Sequence, residues 1–75
     1  MTATQAVQAI DPQAVLTKAA LRAADLLALQ NTDLAKVIGV SNATVSRYRN
    51  GSAEISPATK TGELALLLVR LFRSL

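Results

Sequence analysis

The sequence predicts an all-α protein: a small bundle of four to five helices around a central pair of short helices joined by a tight turn. Two observations lead there. The 75-residue chain is rich in alanine and leucine, with three glycines and two prolines, a composition that favours helix. The stretch Asn31 to Gly51, NTDLAKVIGVSNATVSRYRNG, places a helix stop, Gly39, two residues before a helix start, Ser41.

Residues 1–10 are small and polar, carry no capping pattern and no Lys or Arg, and are expected to form a flexible tail. The ordered domain is expected to span residues 11–75. Asp11-Pro12 opens the first helix, because Asp is a favoured N-cap and Pro suits the first helical position, where its missing N–H costs nothing. This helix should run to about Leu29 as a brace for the central pair. Val15, Leu16, Ala19, Ala23, Leu26 and Leu27 form its inward stripe, and Arg22 and Asp25, three apart, are placed to pair.

In the segment 31–51, Leu34, Ala35 and Ile38 form a compact inward stripe on the helix before Gly39. The start of that helix is less regular: Asn31 is a chemically better cap than Gln30, so the start falls at one or the other. Gly39 tolerates the positive φ of a helix end, and Ser41 can accept a bond from a free N–H of the next turn. Small Ala35 lets two helices meet closely across so short a turn. On the following helix Val45 and Tyr48 share a buried face. Its remaining residues, Asn42, Ala43, Thr44, Ser46, Arg47, Arg49 and Asn50, are small, polar or basic. That is the surface a helix in a DNA major groove requires.

After Gly51, SAEISPATKT reads as a loop. The last apolar helix spans about residues 57–75, beginning at the Ser56-Pro57 cap pattern or else after Gly62. Its sequence ELALLLVRLFRSL is apolar around most of the circumference. One face can pack on the preceding helices. Leaving about four leucine-sized side chains of the other face in water forgoes roughly 6–12 kcal/mol, comparable to the whole stability of a domain, about 5–15 kcal/mol. Leu67, Leu68, Leu71, Phe72 and Leu75 are therefore expected to meet a second copy or another partner.

A chain this short buries only about 60% of its unfolded surface, so packing must be good or a partner must help. It has no cysteine and no histidine, which removes disulfides and the usual zinc sites; no metal or cofactor is expected. Asp11, Asp25, Asp33, Glu54 and Glu63 are scattered, and no Ser or Thr has an evident base, so no catalytic residue is expected either. No apolar run reaches the roughly 20 residues that span a bilayer, and the start lacks the pattern of a secretory signal; a cytoplasmic bacterial protein is expected. The net charge of +3 is modest support for a polyanionic partner. Within the central motif Lys36, Arg47 and Arg49 against Asp33 leave +2, too little for tight binding by a monomer. Dimerisation doubles it.

The string LAxxxGVSxxTVSRxxNG, here Leu34-Ala35, Gly39-Val40-Ser41, Thr44-Val45-Ser46-Arg47 and Asn50-Gly51, resembles the helix-turn-helix of the Xre/Cro/phage-repressor family. VLTKAALRAADLLAL, the turn motif and GELALLLVRLFRSL, in that order, look like the N-terminal half of Xre-type antitoxins of RES–Xre toxin–antitoxin pairs (the MbcA/ParS/Xre group). This resemblance covers about residues 14–75. It implies a λ-repressor-like or Cro-like fold and a sequence-specific double-stranded DNA-binding domain of an autorepressor acting on its own operon, as a dimer or larger assembly. It also implies a further C-terminal domain that blocks an NAD-degrading toxin. The sequence stops near that domain boundary, so the toxin-neutralising domain is expected to be absent here and the RES-type toxin not bound by this chain.

By the same resemblance Asn42, Ala43 and Arg47 face base edges: Arg47 towards guanine O6 and N7, Ala43 towards a thymine methyl, while Asn42 either reads a base or merely occupies the first turn. Asn31, Thr44, Ser46, Arg49 and Asn50 fall to the phosphates, with backbone N–H groups at the two helix starts. Tyr48 belongs to the core. Two other functions remain open: a helical oligomerisation or protein-interaction module with little DNA binding, favoured by the apolar last helix, and a phage-type repressor with no toxin partner.

Overall fold

A computed structural model describes residues 11–75; the expected tail at 1–10 lies outside the described residues. Among the described residues four helices follow one another: α1 (Pro12–Leu26), α2 (Asn31–Ile38), α3 (Asn42–Asn50) and α4 (Lys60–Ser74). No strand occurs among the described residues. Helix α4 packs on both α1 and α2, and α2 packs on α3. Leu34, Ile38, Val45 and Ile55 are the largest side chains wholly removed from solvent, surrounded by Ala20, Ala23, Ala24, Ala35, Tyr48, Ala65, Leu68 and Val69.

Helix α1 starts as the sequence predicts. The Asp11 carboxylate accepts from the Gln13 N–H at 3.0 Å and Pro12 takes the first helical position. It ends three residues short of Leu29. Leu29 N–H bonds back to the Ala24 carbonyl at 2.8 Å and Ala28 N–H to that of Asp25 at 3.1 Å, the paired bonds of a Schellman turn. The turn needs a left-handed residue, and Ala28 supplies it at φ 60°. Leu29 can then fold back onto the core instead of extending the helix. Alanine in that region costs about 1–2 kcal/mol, of which glycine's greater unfolded-state freedom takes back part. Ala28→Gly is therefore expected to stabilise the domain by about 0.5–1 kcal/mol, raising Tm by roughly 2–8 °C in a thermal melt. A lowered Tm would contradict the left-handed turn.

The buried face of α1 is Thr17, Ala20, Ala23 and Ala24, flanked by partly buried Leu16, Ala19, Leu21 and Leu27. Of the expected stripe, Val15 and Leu26 point to solvent instead. Small residues take the inner line because α4 crosses it with Ala65 among its own buried side chains. Thr17 is admitted because its hydroxyl is doubly used: it donates to the Gln13 carbonyl at 2.6 Å and accepts from the buried Ile55 N–H at 2.7 Å. That second bond ties the loop after α3 to α1, so burial leaves no polar group unpaired.

Gln30, not Asn31, is the cap residue of α2, and its N–H donates to the Asp33 carboxylate at 3.2 Å. The helix buries Leu34, Ala35 and Ile38 and closes at Gly39, φ 75°, with Val40 N–H bonded to the Ala35 carbonyl. Ser41 caps α3 by accepting from the Thr44 N–H at 3.1 Å, and Gly51, φ 84°, ends it. The short-helix, tight-turn, short-helix reading of 31–51 is thus reproduced in detail.

The last helix does not begin at Pro57. Thr59 caps it, accepting from the Gly62 N–H at 3.1 Å while donating to the Ser56 carbonyl at 2.8 Å. The Ser56–Pro57 segment lies across Gly62, so it turns outside the helix rather than opening it. Along α4 the inner face is Ala65, Leu68 and Val69, with Phe72 partly buried against the core. Leu68 is thus only 5% exposed and belongs to the protein's own core, a correction to its expected place at a partner surface. It lies three residues after Ala65 and four before Phe72, on the face towards the bundle. Leu67, Leu71 and Leu75, four apart, form the outer line at 56%, 57% and 81% exposure, and Leu66 is exposed beside them.

Candidate nucleic-acid interface

The outward face of α3 starts from the turn that positions it. With Val45 and Tyr48 buried, helical spacing leaves Asn42, Ala43, Ser46, Arg47 and Asn50 together on the opposite, exposed side. Small residues occupy its N-terminal half, where a groove-bound helix approaches bases most closely. The three residues expected at base edges, Asn42, Ala43 and Arg47, therefore share one exposed face.

A hydrogen-bonded line orders this face. The Ser41 and Thr44 hydroxyls lie 2.8 Å apart, and Thr44 Oγ1 accepts from Arg47 Nη2 at 3.3 Å. Thr44 is half-buried and thereby leans the Arg47 guanidinium towards the start of α3. Among the described residues Arg47 forms no ion pair, so its fork remains available to a ligand. Ser46 is exposed on the same side. Asn50 is partly committed: its Oδ1 accepts from the Ser52 N–H at 2.9 Å and the Ser52 hydroxyl at 2.6 Å, shaping the exit turn, while its amide N–H groups are not needed there.

Arg49 is arranged differently. Its Nη2 and Nη1 donate to the two Asp25 oxygens at 2.8 and 3.3 Å, and its Nε donates to Asn31 Oδ1 at 2.7 Å. Asp25 pairs with Arg49 and not, as expected, with Arg22. An Arg held flat by a carboxylate in a two-point fork has better geometry than one reaching along a single helix turn. The hydrogen bonds from Arg49 hold the Asp25 carboxyl below its ordinary range, against a smaller opposing effect of desolvation. One guanidinium thus joins the end of α1, the start of α2 and the end of α3. Arg49 and Asn31, both expected at phosphates, are brought together, with a carboxylate beside them.

The role of Asp25 was not legible in the chain. It lies 24 residues from Arg49, and no local periodicity connects them. Lys18, Leu21, Arg22 and Leu26 border the same shallow hollow with Asp25 and Arg49, about 470 Å³ in volume. Elsewhere the Glu54 carboxyl is pushed up, chiefly by desolvation and then by the nearby Asp11 carboxylate. That group lies in the loop beyond α3, off the outward face.

Among the described residues no group of three or more acidic, His or Cys side chains is placed to hold a metal ion, and no helix is long and apolar enough to cross a membrane. No curated protein matches the sequence. A family model does: the antitoxin Xre-like helix-turn-helix domain matches residues 6–70. That span takes in α1, both helices of the turn motif and most of α4. The glycine-closed α2, the serine-capped α3 with its polar outer face, and a match over most of the sequence lead to one assignment: the chain belongs to the Xre-like helix-turn-helix antitoxin family, a regulatory, DNA-binding kind of protein.

Proposed function

We propose that this domain binds a specific double-stranded DNA site, in the operator of its own operon, with α3 in the major groove. The observation that carries the reading is Arg47: exposed, outside any ion pair among the described residues, and on the helix face that also carries exposed Ala43, Ser46 and Asn50. In this reading Arg47 bonds a guanine, Ala43 meets a thymine methyl, and Asn42 reads the neighbouring base edge. Ser46, Thr44, the amide of Asn50, and Asn31 with Arg49 at the start of α2 set the register on phosphates.

The binding form is a dimer or larger assembly of copies of this chain. A single motif offers few positive charges, and Asp25 offsets one of them. The outer line Leu67, Leu71 and Leu75 supplies an apolar surface for a second copy, with the edge of Phe72 beside it. Burying the exposed parts of these three leucines recovers about 3–6 kcal/mol. As an antitoxin the protein would act against a RES-type toxin, and that contact falls to segments outside this helix-turn-helix. The competing reading, an interaction module with little DNA binding, draws its support from the same exposed leucines.

Fluorescence anisotropy on DNA from immediately upstream of the gene, beside a scrambled duplex and across a salt series, separates the two. Preference for the upstream duplex, weakening linearly in log salt, is the expected result. The slope tells whether one motif or two engage. No preference at low salt by a folded protein would favour the interaction module. Arg47→Ala is expected to lower specific affinity about 5- to 150-fold, the equivalent of about 1–3 kcal/mol for a bidentate arginine–guanine pair. The melting profile should not change. Unaltered affinity would remove Arg47 from base readout.

A further inference from the structure

Building on the DNA-binding reading above, we propose that Asp25 acts as an internal substitute for a DNA phosphate, occupying Arg49 and thereby restraining the electrostatic part of DNA binding. The geometry is that of the competitor. A guanidinium recognises carboxylate and phosphate through the same planar two-point fork. Here both Asp25 oxygens fill that fork, at 2.8 and 3.3 Å, while Asn31 holds the third edge through Nε at 2.7 Å.

The fork is also exchangeable. The Asp25 side chain is 58% exposed and that of Arg49 30%. Solvent reaches the pair, and exposed ion pairs contribute little to stability. Arg49 closes the end of the same helix that carries Arg47, and Asn31 beside it opens α2. A duplex strand passing the start of α2 would meet Arg49 already anchored and a carboxylate where a phosphate oxygen would sit. Transfer of the fork from Asp25 to phosphate adds one contact but leaves a carboxylate close to the strand. Non-specific affinity depends almost wholly on the count of phosphate contacts. The carboxylate carries the same free-energy cost whether or not base contacts are also made, so it lowers both kinds of binding by a similar factor. Asp25 thus limits the overall electrostatic affinity of the domain for DNA and its salt dependence.

The test is an anisotropy salt series with wild type, Asp25→Asn, Arg49→Gln and the double variant, each on the upstream and the scrambled duplex. Asp25→Asn is expected to tighten binding to the scrambled duplex and steepen its salt slope by about one ion. Its advantage should then shrink about 3- to 4-fold between 50 and 200 mM salt. Binding to the upstream duplex should tighten by a similar factor, so that the upstream-to-scrambled ratio stays nearly the same. In the Arg49→Gln background the same change should leave the slope untouched, which separates release of Arg49 from a general gain of positive charge. An unchanged slope in folded Asp25→Asn, or an equal change with and without Arg49, would overturn the inference and leave the pair as a brace. If wild type itself shows no duplex preference, the DNA-binding reading fails, and this inference with it.

Discussion

Val45→Asp is expected to abolish the folded domain. Val45 is wholly buried at the middle of α3, in the core cluster with Leu34 and Ile38 of α2. No basic side chain belongs to that cluster. An unpaired carboxylate there must either ionise without solvent or take up a proton and still lack a hydrogen-bond partner, at a cost of several kcal/mol. The loss of the buried valine adds about 1.5–3 kcal/mol. A domain of this size stands near the lower end of the usual 5–15 kcal/mol. Far-UV circular dichroism should show lost helix and no cooperative melt at neutral pH. Native helicity with an unchanged melt would mean that α3 does not seat Val45 against α2.

Gly62→Ala is expected to destabilise strongly, against helix propensity. Gly62 lies in the first turn of α4, where alanine would ordinarily be better by about 1 kcal/mol. A Cβ built there falls 2.1 Å from the Ser56 carbonyl oxygen and 2.8 Å from Pro57 Cα. Both are backbone atoms, so no side-chain rotation relieves the overlap. Either the loop lifts or α4 shifts, and the Thr59 cap and its bond to Ser56 lie within the disturbed segment. Overpacking of this kind costs about 1–3 kcal/mol, which lowers Tm by roughly 4–20 °C in so small a domain. A higher Tm than wild type would show that propensity wins and that the loop does not press on the helix.

Gly62 illustrates how legible this chain was. Near it the sequence showed two possible starts for the last helix, Ser56-Pro57 and the segment after Gly62, and neither is where α4 begins. Thr59 caps α4 through a local bond to the Gly62 N–H, and the competing Ser56-Pro57 pattern fails because that segment lies across Gly62. The outer surface of α4 shows the same division. That a leucine-rich helix would leave some leucines exposed followed from counting, whereas assigning Leu68 inward and Leu67 outward required the direction from which α1 and α2 approach. On α3 the prediction went further, because the residues that bury it and those that leave an open face alternate within nine positions.

What the sequence alone determined is local. Asp11 with Pro12, Gly39, Ser41 and Gly51 start or stop their helices through bonds and φ values reached within a few residues, so a linear reading finds them. The all-helical class and the polar outer face of the second motif helix follow from the same short-range periodicities. Tertiary structure decided what depends on distant neighbours: the inward rotation of α1 onto its alanines, the burial of Thr17 beneath the Ile55 N–H, and the capture of Arg49 by Asp25. The physical reason is range. Capping and periodicity act over one or two helical turns, whereas packing, close backbone approach and ion pairing depend on which surfaces meet once the chain has folded back on itself.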